Sequence, residues 1–208
     1  MTKLPIKNQL RLGLLILSLF STLLTASDTP IIAAASSTRF ALQDIAQSFH
    51  QDTGKTVRIS YSSSGNLTRQ IEQGGPFELF LSANAAYVSQ LHERHKTLNQ
   101  GIVFAFGRMV ILTTNTSTLS LDEQLLGIKK AIQKGQIKHF AIANPEFAPF
   151  GVAAQEILRQ LNLWTLVHPS IVQGDNVAQA AQFAISGAAQ AGLVSYSLAL
   201  APSIQKHS

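Results

Sequence analysis

A handover that occurs twice near the start of this chain constrains its fold more than any other feature. Ala33-Ala34-Ala35-Ser36-Ser37 closes an apolar run and opens a helical pattern, and Ser62-Ser63-Ser64-Gly65-Asn66 repeats the arrangement one strand and one helix later. The first N–H groups of a helix have no partner within it, and the helix dipole adds partial positive charge there. Small hydroxyl residues at such a junction extend the donor set, so two of these ends facing each other enclose a small oxyanion without a lysine or an arginine.

The segments around the handovers alternate between strand and helix. Pro30 to Ala35 reads as a buried strand. Leu42, Ile45, Ala46 and Phe49 recur at helical spacing up to Gly54. Thr56 to Tyr61 reads as a strand, and Leu67 and Ile71 mark a helix closed by Gly74-Gly75-Pro76. A strand from Phe77 to Ser82 and a helix through Ala86 and Leu91 follow. Further on, Ile102 to Phe106 and Met109 to Thr113 are strand-like, with Phe104 and Phe106 expected in the core. Leu121 to Gln133 reads as a helix, His139 to Ala143 as a strand, and Ala154, Ile157, Leu158 and Leu161 as a helical stripe. Ile171-Val172 is a short strand, Val177, Ala181 and Ala184 mark a helix, and Gln190 to Ser195 is the last strand.

This order implies an α/β fold of two lobes, each a mostly parallel sheet flanked by helices. In such sheets ligands bind beyond the carboxyl ends of the strands, where both serine segments lie. The expected division is residues 28–106 for lobe 1, 107–200 for lobe 2 and 201–208 for a short polar tail. Pro149-Phe150-Gly151 and Gly174-Asp175-Asn176 precede helices of the second lobe and offer further backbone donors to the same cleft.

Residues 1–27 read as a signal peptide. Lys3, Lys7 and Arg11 lead into the apolar run Leu12 to Leu24, and Thr25-Ala26-Ser27 supplies small residues for cleavage before Asp28. That run is short for a bilayer span, which takes about 20 residues. The three leader cations belong to 16 basic residues set against 11 acidic ones; 13 against 11 remain beyond Ser27, a balance of +2. The basic character is therefore partly an export feature and does not point to nucleic acid. The chain has no cysteine, which excludes disulfides, thiolate metal sites and a cysteine nucleophile.

Five segments carry a resemblance to a known family. They are Ala33-Ala34-Ala35-Ser36; Ser63-Ser64-Gly65-Asn66-Leu67 with Gln70-Ile71; Leu79-Phe80-Leu81-Ser82-Ala83; Ala143-Asn144-Pro145 with Ala148-Pro149-Phe150-Gly151; and Gly174-Asp175-Asn176-Val177. In this order and spacing, from about Ile31 to Leu198, the chain resembles the periplasmic molybdate-binding proteins of ABC importers. The resemblance implies a periplasmic protein, a monomer, that closes on molybdate or tungstate and delivers it to an inner-membrane ABC permease. It implies no cofactor, no nucleic-acid partner and no enzymatic activity.

The resemblance also implies ligand contacts from Ser36 and Ser64 through hydroxyl and backbone N–H, from the backbone N–H groups of Phe150 and Val177, and from Ser195 in the place of a tyrosine hydroxyl, with Tyr196 beside it. Molybdenum would be held only as the oxyanion, through Ser36, Ser64 and Val177. Arg39, Phe40, Glu78 and Asn84 depart from the family pattern outside the direct shell. Members of the family continue well past the position of Ser208, with a tail that returns to the first lobe. Thin cover, exposed apolar surface and low stability of lobe 1 are the resulting expectations.

The chemistry fits this assignment. Molybdate is a dianion with no proton near neutral pH, so it only accepts hydrogen bonds, and a site for it needs donors and no carboxylate. Protonated phosphate suits a site that includes an acceptor. A binder of another oxyanion (sulfate, phosphate or a phosphonate) and a sensor that has lost transport are the alternatives. A serine hydrolase is disfavoured because no Gly-x-Ser-x-Gly segment is present. Taken singly, each serine segment reads better as a helix cap or a solvated turn, a preference that the pair of equivalent junctions with second-lobe partners reverses, and Asp175 is equally a ligand carboxylate or a helix-start acid. His92 and His95, three apart without a third ligand, read as a solvated helix face, and Trp164 as packing at a helix end.

Overall fold

The computed structural model describes residues 29–208; the leader assigned to residues 1–27 lies outside the described residues. Two sheets organise the chain. The first is built from β1 (Ile31–Ala35), β2 (Arg58–Ser62) and β3 (Leu79–Leu81) in the order β2-β1-β3. Both pairings are parallel, with Ala33 opposite Ser60 on one side and Phe80 on the other. The second contains β4 (Met109–Leu112), β5 (Phe140–Ala143), β6 (Ile171–Gly174) and β7 (Ala191–Ser195) in the order β4-β7-β5-β6. Within it β5, β6 and β7 run parallel, and β4 runs antiparallel to β7 at the edge.

Three helices belong to the first lobe: α1 (Arg39–Thr53), α2 (Ser64–Glu72) and α3 (Ala85–Glu93). A 3-10 turn at Ser36–Thr38 joins β1 to α1. The second lobe carries α4 (Leu126–Gln133), α5 (Pro149–Gln160), α6 (Trp164–Val167), α7 (Val177–Ile185), α8 (Tyr196–Ala199) and α9 (Pro202–Gln205). Gly54 ends α1 at φ 70°, a left-handed position that glycine adopts without steric penalty.

The two lobes differ in how they bury apolar surface. In the second sheet, alternate residues feed opposite faces. Ala141, Ala143 and Val194 pack with Val177, Ala181, Leu198 and Ile204 on one side. Phe140, Ile142 and Leu193 pack with Ile128, Leu158 and Val167 on the other. In the first lobe the fully buried apolar residues are Ala33, Ala34, Leu67 and Leu91, with Ala35 nearly so. Helix α1 buries none of its residues, and Ile45, Phe49 and Leu79 are exposed.

Three expectations need correction. Ile102 to Phe106 forms no strand, and Phe104 and Phe106 are exposed rather than core. Its β-forming residues find no neighbouring backbone among the described residues, and a strand exists only as part of a ladder. The helix expected from Leu121 begins only at Leu126, because Leu125 takes a left-handed backbone (φ 55°). Asp122 caps it instead, accepting from the N–H groups of Gln124, Leu126 and Gly127. The stretch 201–208 is more than a polar tail: it carries α9 and buries Ala201 and Ile204 in the second lobe's core.

Candidate functional site

The carboxyl ends of β1 and β2 face those of β5 and β6 across one cleft. Ala35, Ser36, Ser37, Ser62, Ser63, Ser64 and Ala83 line it from the first lobe, and Ala148, Pro149, Phe150 and Val177 from the second. No charged or titratable side chain is among these lining residues.

Four chain starts converge here. Ser36 opens the 3-10 turn, Ser64 is the first residue of α2, and Val177 is the first residue of α7. Each N–H therefore lies in the part of a helix that has no internal acceptor. Pro149 occupies the first position of α5. Proline suits that position but has no N–H, so Phe150 carries the first donor of that helix. Three of these starts are fixed locally. Ser63 caps α2 by accepting from Asn66 N at 3.4 Å. Asn176 caps α7 by accepting from Ala178 N at 3.1 Å and Gln179 N at 3.2 Å. Gly151 lets α5 start hard against β5, since a Cβ there would lie 2.3 Å from Ala143 O.

The two serine hydroxyls are oriented by what they accept. Ser64 is fully buried, and its Oγ receives the Ala83 N–H at 2.9 Å. Ser36 Oγ receives the Ala178 N–H, from the opposite lobe, at 3.4 Å. With an oxygen lone pair committed to a backbone donor, each hydroxyl keeps its hydrogen to offer. The site is thus a set of donors from both lobes with no ionised acceptor, suited to a guest that only accepts hydrogen bonds.

Ser36, Ser64, Phe150 and Val177, the positions expected from the sequence, line one cleft. Ser195 does not join them. It is buried at the end of β7, immediately before α8, and its hydroxyl oxygen lies 3.3 Å from that of Ser197. Tyr196 is exposed and also outside the lining. Asp175 is exposed, and its backbone N–H donates to Gln179 Oε1, which fits a helix-start residue rather than a ligand. Arg39 also stays outside the lining; its guanidinium lies 5.0 Å from the Tyr61 ring centre. Burial raises the Tyr61 pKa, and the Arg39 charge opposes that shift.

Among the described residues no group of histidine and acidic side chains could hold a metal ion. His92 Nδ1 lies 3.3 Å from Thr97 Oγ1. Trp164 starts α6 and packs partly buried against the second lobe's core, beneath the Arg159 guanidinium. The sequence reading missed the Ala83 N–H that orients Ser64 and the packing of Phe40 against the second lobe's core. The apolar character of Phe40 next to the serine junction was the available signal.

Two opposed α/β lobes with a donor-lined cleft between them define an extracellular solute-receptor architecture. The family model of bacterial extracellular solute-binding proteins matches residues 31–208, and the chain belongs to that family. Among its relatives, the molybdate-binding protein ModA of Rhodobacter capsulatus is 34% identical over 173 residues, which are 83% of this chain and 66% of that protein. ModA of Azotobacter vinelandii is 33% identical over 80% of this chain and 64% of its own length. The solved structure of the A. vinelandii periplasmic molybdate-binding protein superposes with a TM-score of 0.72 at 30% identity, covering 80% of this chain and 71% of that one. The sulfate-binding protein SubI of Mycobacterium tuberculosis shares the fold at 14% identity and a TM-score of 0.64. The chain spans just under two thirds of the length of these first curated relatives.

Proposed function

We propose that this protein captures molybdate, and tungstate as its close analogue, for delivery to an ABC permease. The observation that carries the reading is a cleft built from hydroxyl and backbone N–H donors of both lobes, with no charged side chain in its lining among the described residues. Ser36 and Ser64 donate through hydroxyl and backbone, and Phe150 and Val177 through backbone N–H. Molybdenum is bound only as its oxyanion. Each hydrogen bond to a charged group contributes roughly 1.5–3 kcal/mol. About six of them, less desolvation and closure costs, are consistent with micromolar or tighter binding.

Closure of the lobes around the guest converts capture into a shape that a permease reads. On this reading residues 29–106 and 107–208 are the two moving bodies, and the protein is a periplasmic monomer, exported by residues 1–27, without cofactor or catalytic activity. The relatives named for molybdate binding support the choice of ligand. A thermal-shift panel of molybdate, tungstate, sulfate and phosphate tests it. Molybdate and tungstate should raise Tm in a concentration-dependent way. Stabilisation by phosphate or sulfate alone would transfer the assignment to another oxyanion, and stabilisation by none would mark a protein that does not bind these ions.

A further inference from the structure

Besides the Ala178–Ser36 contact inside the site, two hydrogen bonds join the lobes through residues that are not expected to touch the ligand. Gly65 N donates to Phe147 O at 2.9 Å, linking the start of α2 to the loop before α5. Ser197 Oγ, on α8, donates to Ser37 O at 2.8 Å, linking the second lobe to the 3-10 turn of the first. Each contact sits one residue along the chain from a site serine: Gly65 from Ser64, and Ser37 from Ser36. Gly65 also permits an approach that no side chain would. A Cβ at this position would stand 2.6 Å from Phe147 O, 3.0 Å from Phe147 Cα and 2.9 Å from the Tyr87 hydroxyl. Arg69, one turn further along α2, lays its guanidinium over the Phe147 ring at 5.5 Å.

We infer that Gly65–Phe147 and Ser197–Ser37 form a two-point clasp that holds the lobes closed through protein contacts alone, so that Gly65 and Ser197 set ligand affinity without contacting the ligand. The Gly65 N–H is committed to Phe147 and unavailable to an anion, and Ser197 is not among the residues lining the cleft. The clasp contacts exist only in the closed arrangement, so loosening them lowers the closed fraction and with it the apparent affinity, chiefly through faster release. The affinity part of this inference rests on the proposed molybdate reading; the closure part does not.

The native chain has no cysteine, so spin labels at Gln73→Cys and Gln160→Cys, both exposed and one in each lobe, report the separation of the lobes. Without any anion, the otherwise native chain should show a short-distance population that Gly65→Ala depletes. Gly65→Ala should also bind molybdate at least about tenfold more weakly, with release accelerated and capture little changed. Ser197→Ala should move both readouts in the same direction, and Ser197→Thr should restore them. If Gly65→Ala does not fold, the Ser197 pair decides. Unchanged distances and unchanged release in Ser197→Ala or in folded Gly65→Ala would overturn the clasp. If molybdate fails to bind the native chain while the distances shift as stated, the clasp is supported and the ligand assignment alone falls.

Discussion

Replacing Ser64 with alanine separates binding from folding at one atom. Ser64 is fully buried at the first position of α2, and its Oγ accepts the Ala83 N–H at 2.9 Å. Removing that oxygen has two effects. It deletes one donor to the dianion, a loss of roughly 1.5–3 kcal/mol in binding, or about 10- to 150-fold in Kd. It also leaves the Ala83 N–H without its acceptor in free and loaded protein alike, which costs roughly 1–3 kcal/mol of stability and largely cancels from the affinity. Titration calorimetry with molybdate reads the first effect, and thermal unfolding without ligand reads the second. Both should appear. A lowered Tm with unchanged Kd would show that the Ser64 hydroxyl serves only to hold the β3–α3 junction, and would remove it from the ligand contacts.

Val177→Pro removes a backbone donor at a helix position where proline is tolerated. Molybdate affinity should fall about tenfold or more while the helical content in circular dichroism stays the same; unchanged affinity would exclude the Val177 N–H from the site. Among the described residues no titratable side chain lines the cleft, so calorimetric Kd for molybdate should be flat between about pH 6 and 9, where a lining histidine would have titrated. A step within that window would require an ionisable ligand contact. Asp122 is held below the usual carboxylate range, first by the Gly127 N–H and then by that of Leu126. Its contribution to stability is therefore complete above the unfolded-state pKa and lost as pH falls through the lower folded-state value. Asp122→Asn should lower Tm at neutral pH and narrow the gap to the native chain in acid; a gap that widens in acid would contradict the sign. Exchanging exposed Phe104 and Phe106 for serine should reduce binding of a hydrophobic dye without lowering Tm; a large drop in Tm would mean that these rings are packed in solution.

Much of the second lobe was legible because its strands and helices bury regular stripes. Ala154 and Leu158 on α5 and Ala181 and Ala184 on α7 pack where their spacing places them. The site was legible for a different reason: helix starts are marked by local chemistry. Ser63, Asn176 and Pro149 announce the first turns of α2, α7 and α5 before any packing is known. Partnership in space was not legible. Among the described residues Ile102 to Phe106 has the composition of a strand but joins no sheet, and Leu42, Ile45 and Phe49 have helical spacing on a helix with no buried residue. Ser195 showed the same limit within the site, since its sequence neighbourhood does not reveal that its hydroxyl meets Ser197 instead of the cleft.

The uneven burial of the two lobes bears on how the molecule comes apart. A sheet packed on both faces and a sheet with an uncovered helix need not melt together. The free protein should lose amide-exchange protection first around β1 to β3 and last around β5 and β7. A guest gripped by both halves couples them, so occupancy would turn a staged unfolding into a single cooperative step.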